Sequence, residues 1–122
     1  MIRKGTTRTV IVVGGFAVKL ATDERGRRCN RFEADLYKRV NARRRAMLCP
    51  VLVCTPAGTA LLMPAARPLT EKERDNLWET DGFPDWDYMP PDETEPFEYK
   101  PSDWGWLNGR LVALDYSSPA LF

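Results

Sequence analysis

The chain has 122 residues, 43% apolar and 29% charged, with a formal net charge of +1. That suffices for one domain with its own core and is too short for two substantial lobes. Histidine is absent, which excludes Ser-His-Asp and Cys-His nucleophile systems and imidazole acid/base chemistry, leaving any catalysis to carboxylates, lysine or bound metal. Cys29, Cys49 and Cys54 are odd in number and lack Cys-x-x-Cys spacing, so reduced thiols are expected, not disulfides or a zinc site. No apolar run is long enough to cross a bilayer and no signal peptide is evident, so the expectation is a cytoplasmic protein without a membrane partner. The small net charge hides polarity: residues 1–47 sum to +9 and residues 79–122 to −8. That pattern predicts two sign-opposed faces or a basic half docked on an acidic one.

In chain order, Thr9 to Val13, Gly14-Gly15 and Phe16 to Ala21 read as a β-hairpin. Alternation puts Phe16, Val18 and Leu20 on one face and Ala17, Lys19 and Ala21 on the other. A charged loop follows, and Asn30 is expected to cap a helix over residues 31–44, with Glu33 as the capping-box acid. Phe32, Leu36 and Val40 form its apolar stripe, and Glu33 falls on the stripe's edge. Arg43-Arg44-Arg45 suits a helix C-terminus better than a nucleic-acid patch.

After Cys49-Pro50, residues 51–54 and 59–63 predict a second hairpin about Thr55-Pro56-Ala57-Gly58. Residues 64–68 read as an extended connector whose prolines exclude further sheet pairing. Thr70-x-x-Glu73 opens a short helix to Trp78. Residues 79–103 combine five prolines, nine acids and interleaved aromatics, and are expected to form an acidic strap laid over the domain. Asn108-Gly109 then marks a type I′ hairpin turn. Leu111 to Leu114 is a strand covered on both faces that delivers Asp115 at its end.

This order, together with Phe16-Ala17-Val18-Lys19, the early helix glutamate and Asp115-Tyr116-Ser117, resembles the nucleotide-binding lobe of protein-kinase-like folds. Compact bacterial and phage kinase-like proteins are the nearest likeness. The fold implied is α+β, a small antiparallel sheet with one main packed helix, as a single domain over residues 1–122. The resemblance implies that Lys19 contacts phosphate, Glu33 is its ion-pair partner, and Met63 and Ala65 lie at the adenine-binding hinge. It further implies Asp103 and Asp115 as magnesium ligands and Glu98 as a weak substitute for the catalytic base. The chain departs from the family in lacking a Gly-x-Gly-x-x-Gly loop, a first strand ahead of residue 9, a His-Arg-Asp motif, and, after Asp115, an activation segment.

The expected function is therefore a non-catalytic, pseudokinase-type module that binds a protein partner, as a phage- or mobile-element-type inhibitor or modulator of a host protein does. Trp86, Tyr88, Tyr99, Trp104 and Phe122 are its anchor candidates, with coverage of a small core as the equal alternative. No cofactor is required on this reading. One alternative is a minimal phosphotransferase using ATP and Mg²⁺ through Lys19, Glu33, Asp103 and Asp115. Another is an acidic nucleic-acid mimic that uses Asp85, Asp87, Asp92, Glu93 and Glu95 to occupy a basic cleft. Direct nucleic-acid binding through residues 25–45 ranks last.

Overall fold

The computed structural model describes residues 1–86 and 94–121. It is an α+β fold of two antiparallel sheets and three α-helices. The larger sheet has the order β1-β2-β3-β5-β4, from β1 (Ile2–Lys4), β2 (Arg8–Val13), β3 (Phe16–Ala21), β4 (Val53–Cys54) and β5 (Ala60–Pro64). The smaller comprises β6 (Arg67–Pro68), β7 (Trp104–Leu107) and β8 (Arg110–Ala113), in that order.

The expected alternation in β3 holds. Val10 opposes Lys19 and Val12 opposes Ala17, so these side chains share the inner face, while Ile11, Val13, Phe16 and Val18 share the outer one. Helix α1 (Glu24–Arg39) lies against β3, β4 and β5 on the inner side. Leu36 from the helix and Leu61 and Met63 from β5 join the core there at about 1% exposure. Asn108 and Gly109 have φ of 51° and 79°, as the type I′ turn between β7 and β8 requires. The short helix α3 (Glu71–Glu79) carries the full Thr70–Glu73 capping box.

Four local expectations are overturned. A first strand does exist: β1 pairs with β2 in register Ile2↔Ile11, and the two are joined through Gly5, Thr6 and Thr7. Helix α1 starts six residues before Asn30, because Asp23 caps it by accepting from the Gly26 amide at 2.9 Å. It stops at Arg39, and Ala42–Arg45 is a separate short helix, α2, capped by Asn41. The residues 64–68 connector is not free of sheet pairing: Pro64 opposes Phe16 in β5, and β6 pairs with β7. Proline is tolerated in both places because each is a strand terminus.

The acidic strap has an aromatic underside. Trp86 and Trp104 are fully buried and Phe97 is 4% exposed. Phe97 packs edge-on against both tryptophans, with centroids 5.5 and 4.8 Å apart. Arg44 is also buried there, its guanidinium 4.7 Å from the Trp86 ring centroid and its Nε donating to the Trp86 carbonyl. The arginine run is thus neither solvated nor a nucleic-acid patch at this position. Arg45 caps the end of α1 by donating to the carbonyls of Tyr37, Lys38 and Val40.

Gly26 sets the closeness of α1 to the sheet. A Cβ there would lie 2.1 Å from the Thr7 carbonyl oxygen and 3.1 Å from Ala21. That carbonyl already accepts from the Thr22 amide and hydroxyl, so it cannot retreat without loss. We predict that Gly26→Ala costs about 2–4 kcal/mol by overpacking, measured as a fall in the denaturation midpoint. A loss below about 0.5 kcal/mol would mean the helix can shift freely.

Candidate ligand-binding site

The inner face of β2 and β3 meets the end of β8 around Glu33, which is fully buried. Its position follows from the helix: Glu33 is on the same α1 face as Cys29, Asn30 and Leu36, all buried. Asn30 fixes that face by donating to the Lys19 carbonyl at 3.1 Å and the Gly58 carbonyl at 2.8 Å. Glu33 Oε1 accepts from Lys19 Nζ at 2.9 Å and from Arg8 at 2.6 Å. Glu33 Oε2 accepts from the Tyr116 amide at 2.8 Å. One carboxylate therefore ties together the second strand, the third strand, the helix and the segment after β8.

Lys19 is only 6% exposed, so its ammonium is held inside the protein. Its ammonium also donates to the Leu114 carbonyl at 2.5 Å. Arg8 spans two acids, because its Nη2 lies 3.1 Å from Asp115 Oδ1 as well as reaching Glu33. It also donates to Asn30 Oδ1 and to the Ser117 hydroxyl. Burial works against the Arg8 charge, but Glu33 and Asp115 outweigh it and hold the guanidinium ionised.

Lys19, Glu33 and Asp115 thus converge, as the sequence led us to expect. Met63, Asp103, Asp115 and Glu98 all line one cavity of about 480 Å³, together with Lys19, Pro64, Ala65 and Ala66. The β1–β2 connection, Gly5 to Thr7, lines the same cavity. No Gly-x-Gly-x-x-Gly loop is present, but this short β-turn connection borders the cavity that Lys19 also lines. Val10, Val12, Ala17 and Leu114 give the cavity its apolar walls, and Arg3 and Lys100 add positive charge. Arg3 Nε has no hydrogen-bond partner.

The two aspartates behave differently. Burial raises the Asp115 carboxyl, but the Lys19 and Arg8 cations and hydrogen bonds from Ser117 prevail and hold it below the usual range. Asp103 is 7% exposed, and Lys100 and Lys19 offset its burial only in part. Burial first, and the Asp115 charge second, push its carboxyl up to about 7. The Asp103 carbonyl oxygen accepts from the Leu114 amide at 2.7 Å, which fixes the two acids relative to each other. Tyr116 is fully buried, donates its hydroxyl to the Cys49 carbonyl, and is held protonated by burial and by Glu33.

The aromatic candidates separate from this site. Trp86 and Trp104 are inside the core and so cannot serve as surface anchors for a partner. Tyr99 is half-buried between Trp78 and Phe83 and donates to Glu95. Tyr88 and Phe122 lie outside the described residues, as do Asp87, Asp92 and Glu93 of the acidic set.

Sequence reasoning missed Arg8, Asn30 and Ser117. Extending the second strand back by one residue would have exposed Arg8 as a charge in line with Val10 and Val12, on the Lys19 face. Asn30 was hidden by its more common role as a helix cap.

Comparison of the chain with protein-family models, curated proteins and solved structures finds no match. Function must therefore be read from the site itself.

Two predictions follow from the ion-pair geometry. Glu33→Gln leaves two buried cations without their shared anion and should cost about 3–5 kcal/mol. Lys19→Met, which leaves Arg8 paired with Glu33, should cost less than half of that in the same denaturant titration. Asp103 gives a pH signature. Its folded value of about 7 lies well above the 3.8 of a free aspartate, so this carboxyl's contribution to stability is full below about pH 4 and is lost as pH rises through 7. Asp103→Asn should remove this fall and gain up to about 4 kcal/mol over wild type at pH 8. Parallel stability–pH curves for the two proteins would show that Asp103 titrates normally.

Proposed function

We propose that this chain is a non-catalytic, kinase-like binding module whose cavity accepts a nucleotide-sized anionic ligand and which acts by contacting a protein partner. The observation that carries the reading is Arg8. Its guanidinium bridges Glu33 and Asp115 from within the sheet, at 2.6 and 3.1 Å, so both carboxylates are already neutralised by protein. Asp115 is the residue that the family resemblance would assign to magnesium, and one of its oxygens is taken by Arg8 and Ser117.

The residues fit a ligand's base and phosphates better than a metal. Apolar walls suit a flat ring, and Arg3 and Lys19 supply cations beside the β1–β2 connection. Among the described residues no group of three or more acidic or thiol side chains is placed to hold a metal ion. No phosphoryl-transfer step is assigned to this site.

Asp103 favours a second reading. A carboxyl near 7 in the cavity wall is matched to proton transfer at neutral pH. In a minimal phosphotransferase Asp103 would then take the base role, and Glu98, whose side chain is 61% exposed, would not.

Calorimetry and thermal shift with ATP and ADP, with and without Mg²⁺, separate the two. We expect saturable binding that EDTA leaves within about twofold, Lys19→Met weakens by tenfold or more, and no phosphoryl transfer accompanies. Mg²⁺-dependent turnover abolished by Asp115→Asn would replace this reading with the enzymatic one. A flat titration would remove the nucleotide from the account.

A further inference from the structure

The outer face of the five-stranded sheet is apolar across its width, and none of the described helices packs on it. Ile2, Val13, Phe16, Leu20 and Val53 are exposed at 64, 67, 47, 37 and 58%. Strand register places all five on one side: Ile2 opposes Ile11, Val13 opposes Phe16, Leu20 opposes Thr9, and Val53 opposes Leu62. Ile11, Val18 and Leu62 fill the centre and are only half-buried. Among the described strand residues, the one charged side chain on this side is Lys4, at the β1 corner opposite Thr9. All the ion-pair chemistry of Arg8, Lys19 and Glu33 is on the other side of the sheet.

We propose that this face binds the same face of a second copy of the chain, in a two-fold sheet-on-sheet dimer. The proposal stands on the outer surface and does not depend on what the cavity binds. Monomers rarely expose a contiguous apolar patch beyond a few hundred Å² without an interaction to account for it. At about 4.8 Å between strands and about 3.4 Å per residue, this face covers about 350 Å² in plan. Accessible surface over the protruding side chains of Ile2, Val13, Phe16, Leu20 and Val53 exceeds the plan. That brings it towards the roughly 600 Å² per partner at the low end of specific interfaces. The area fits a reversible dimer of micromolar strength, not an obligate one.

A second copy is the occupant that this chemistry selects. The face offers no charge pattern to recruit an acidic or basic partner. It is one face of a β-sheet, and another twisted sheet packed at about 10 Å is its natural complement. Self-pairing by a two-fold along or across the strands also keeps the two Lys4 ammonium groups apart, since each then meets a different corner of its partner.

Sedimentation velocity on the full chain tests this between about 1 and about 300 μM. We expect the mass to climb from 13.9 kDa towards twice that value as concentration rises. Val13→Glu combined with Phe16→Glu should hold it at 13.9 kDa throughout, with an unchanged circular-dichroism spectrum, because both positions face solvent in the monomer. Trp78→Glu, an equally exposed apolar site on α3, should leave dimerisation intact. A wild-type chain that stays at monomer mass overturns the proposal. So does a dimer that survives the double substitution, or one that Trp78→Glu dissolves. Should the double variant misfold, hydrogen exchange on wild type still decides it: protection of the β2 and β3 amides must increase with protein concentration, and constant protection refutes the dimer.

Discussion

One fully buried carboxylate holds this structure together. Glu33 accepts from an arginine on β2, a lysine on β3 and a backbone amide beyond β8. Inside a protein such a group is costly unless every partner is present, and the cost of removing one falls on those that remain. The fold meets that condition by bringing residues 8, 19, 33 and 116 to one point, through a sheet, a helix and a final hairpin. Arg8 and Asp115 also join the basic N-terminal part of the chain to the acidic C-terminal part. The polarised charge of the sequence is thus expressed in part as a contact between its two ends.

Much of this was legible beforehand. The Phe16–Ala21 alternation placed Lys19 on the inner face because period-2 geometry leaves no choice once the hairpin is set. Asn108-Gly109 fixed the last turn through its need for positive φ. The convergence of Lys19, Glu33 and Asp115 could be anticipated only by resemblance, since nothing local in the chain relates an early strand and helix to a segment near its other end. The misses have local causes. Asp23 and Asn30 are both good helix caps, and the choice between them is made by Gly26, which alone lets α1 approach Thr7 closely enough to begin early. The connector's prolines suggested no pairing, yet a strand end needs few amide donors. Trp86 and Trp104 are chemically as fit for an interface as for a core, and burial is decided by the strap's path, which composition does not encode.

The aromatic cluster under the strap and the cavity above Glu33 divide the domain's labour. Trp86, Phe97 and Trp104 hold the acidic segment to the smaller sheet, and so bring Asp103 into the cavity wall. A carboxyl carried there on an apolar support is poorly solvated, and the Asp115 charge beside it outweighs the pull of Lys100 and Lys19. Packing on one side of the molecule thereby sets protonation on the other.

The bond from the Tyr116 amide to Glu33 has a mechanical consequence. Helix α1 is pinned through Asn30 to two carbonyls of the larger sheet and through Glu33 to the chain beyond β8. Swinging the helix outward would strand an arginine and a lysine in a dry interior at the same moment. The scaffold therefore behaves as a rivet rather than a hinge, and signals would have to pass through whatever docks on it, with its shape left unchanged.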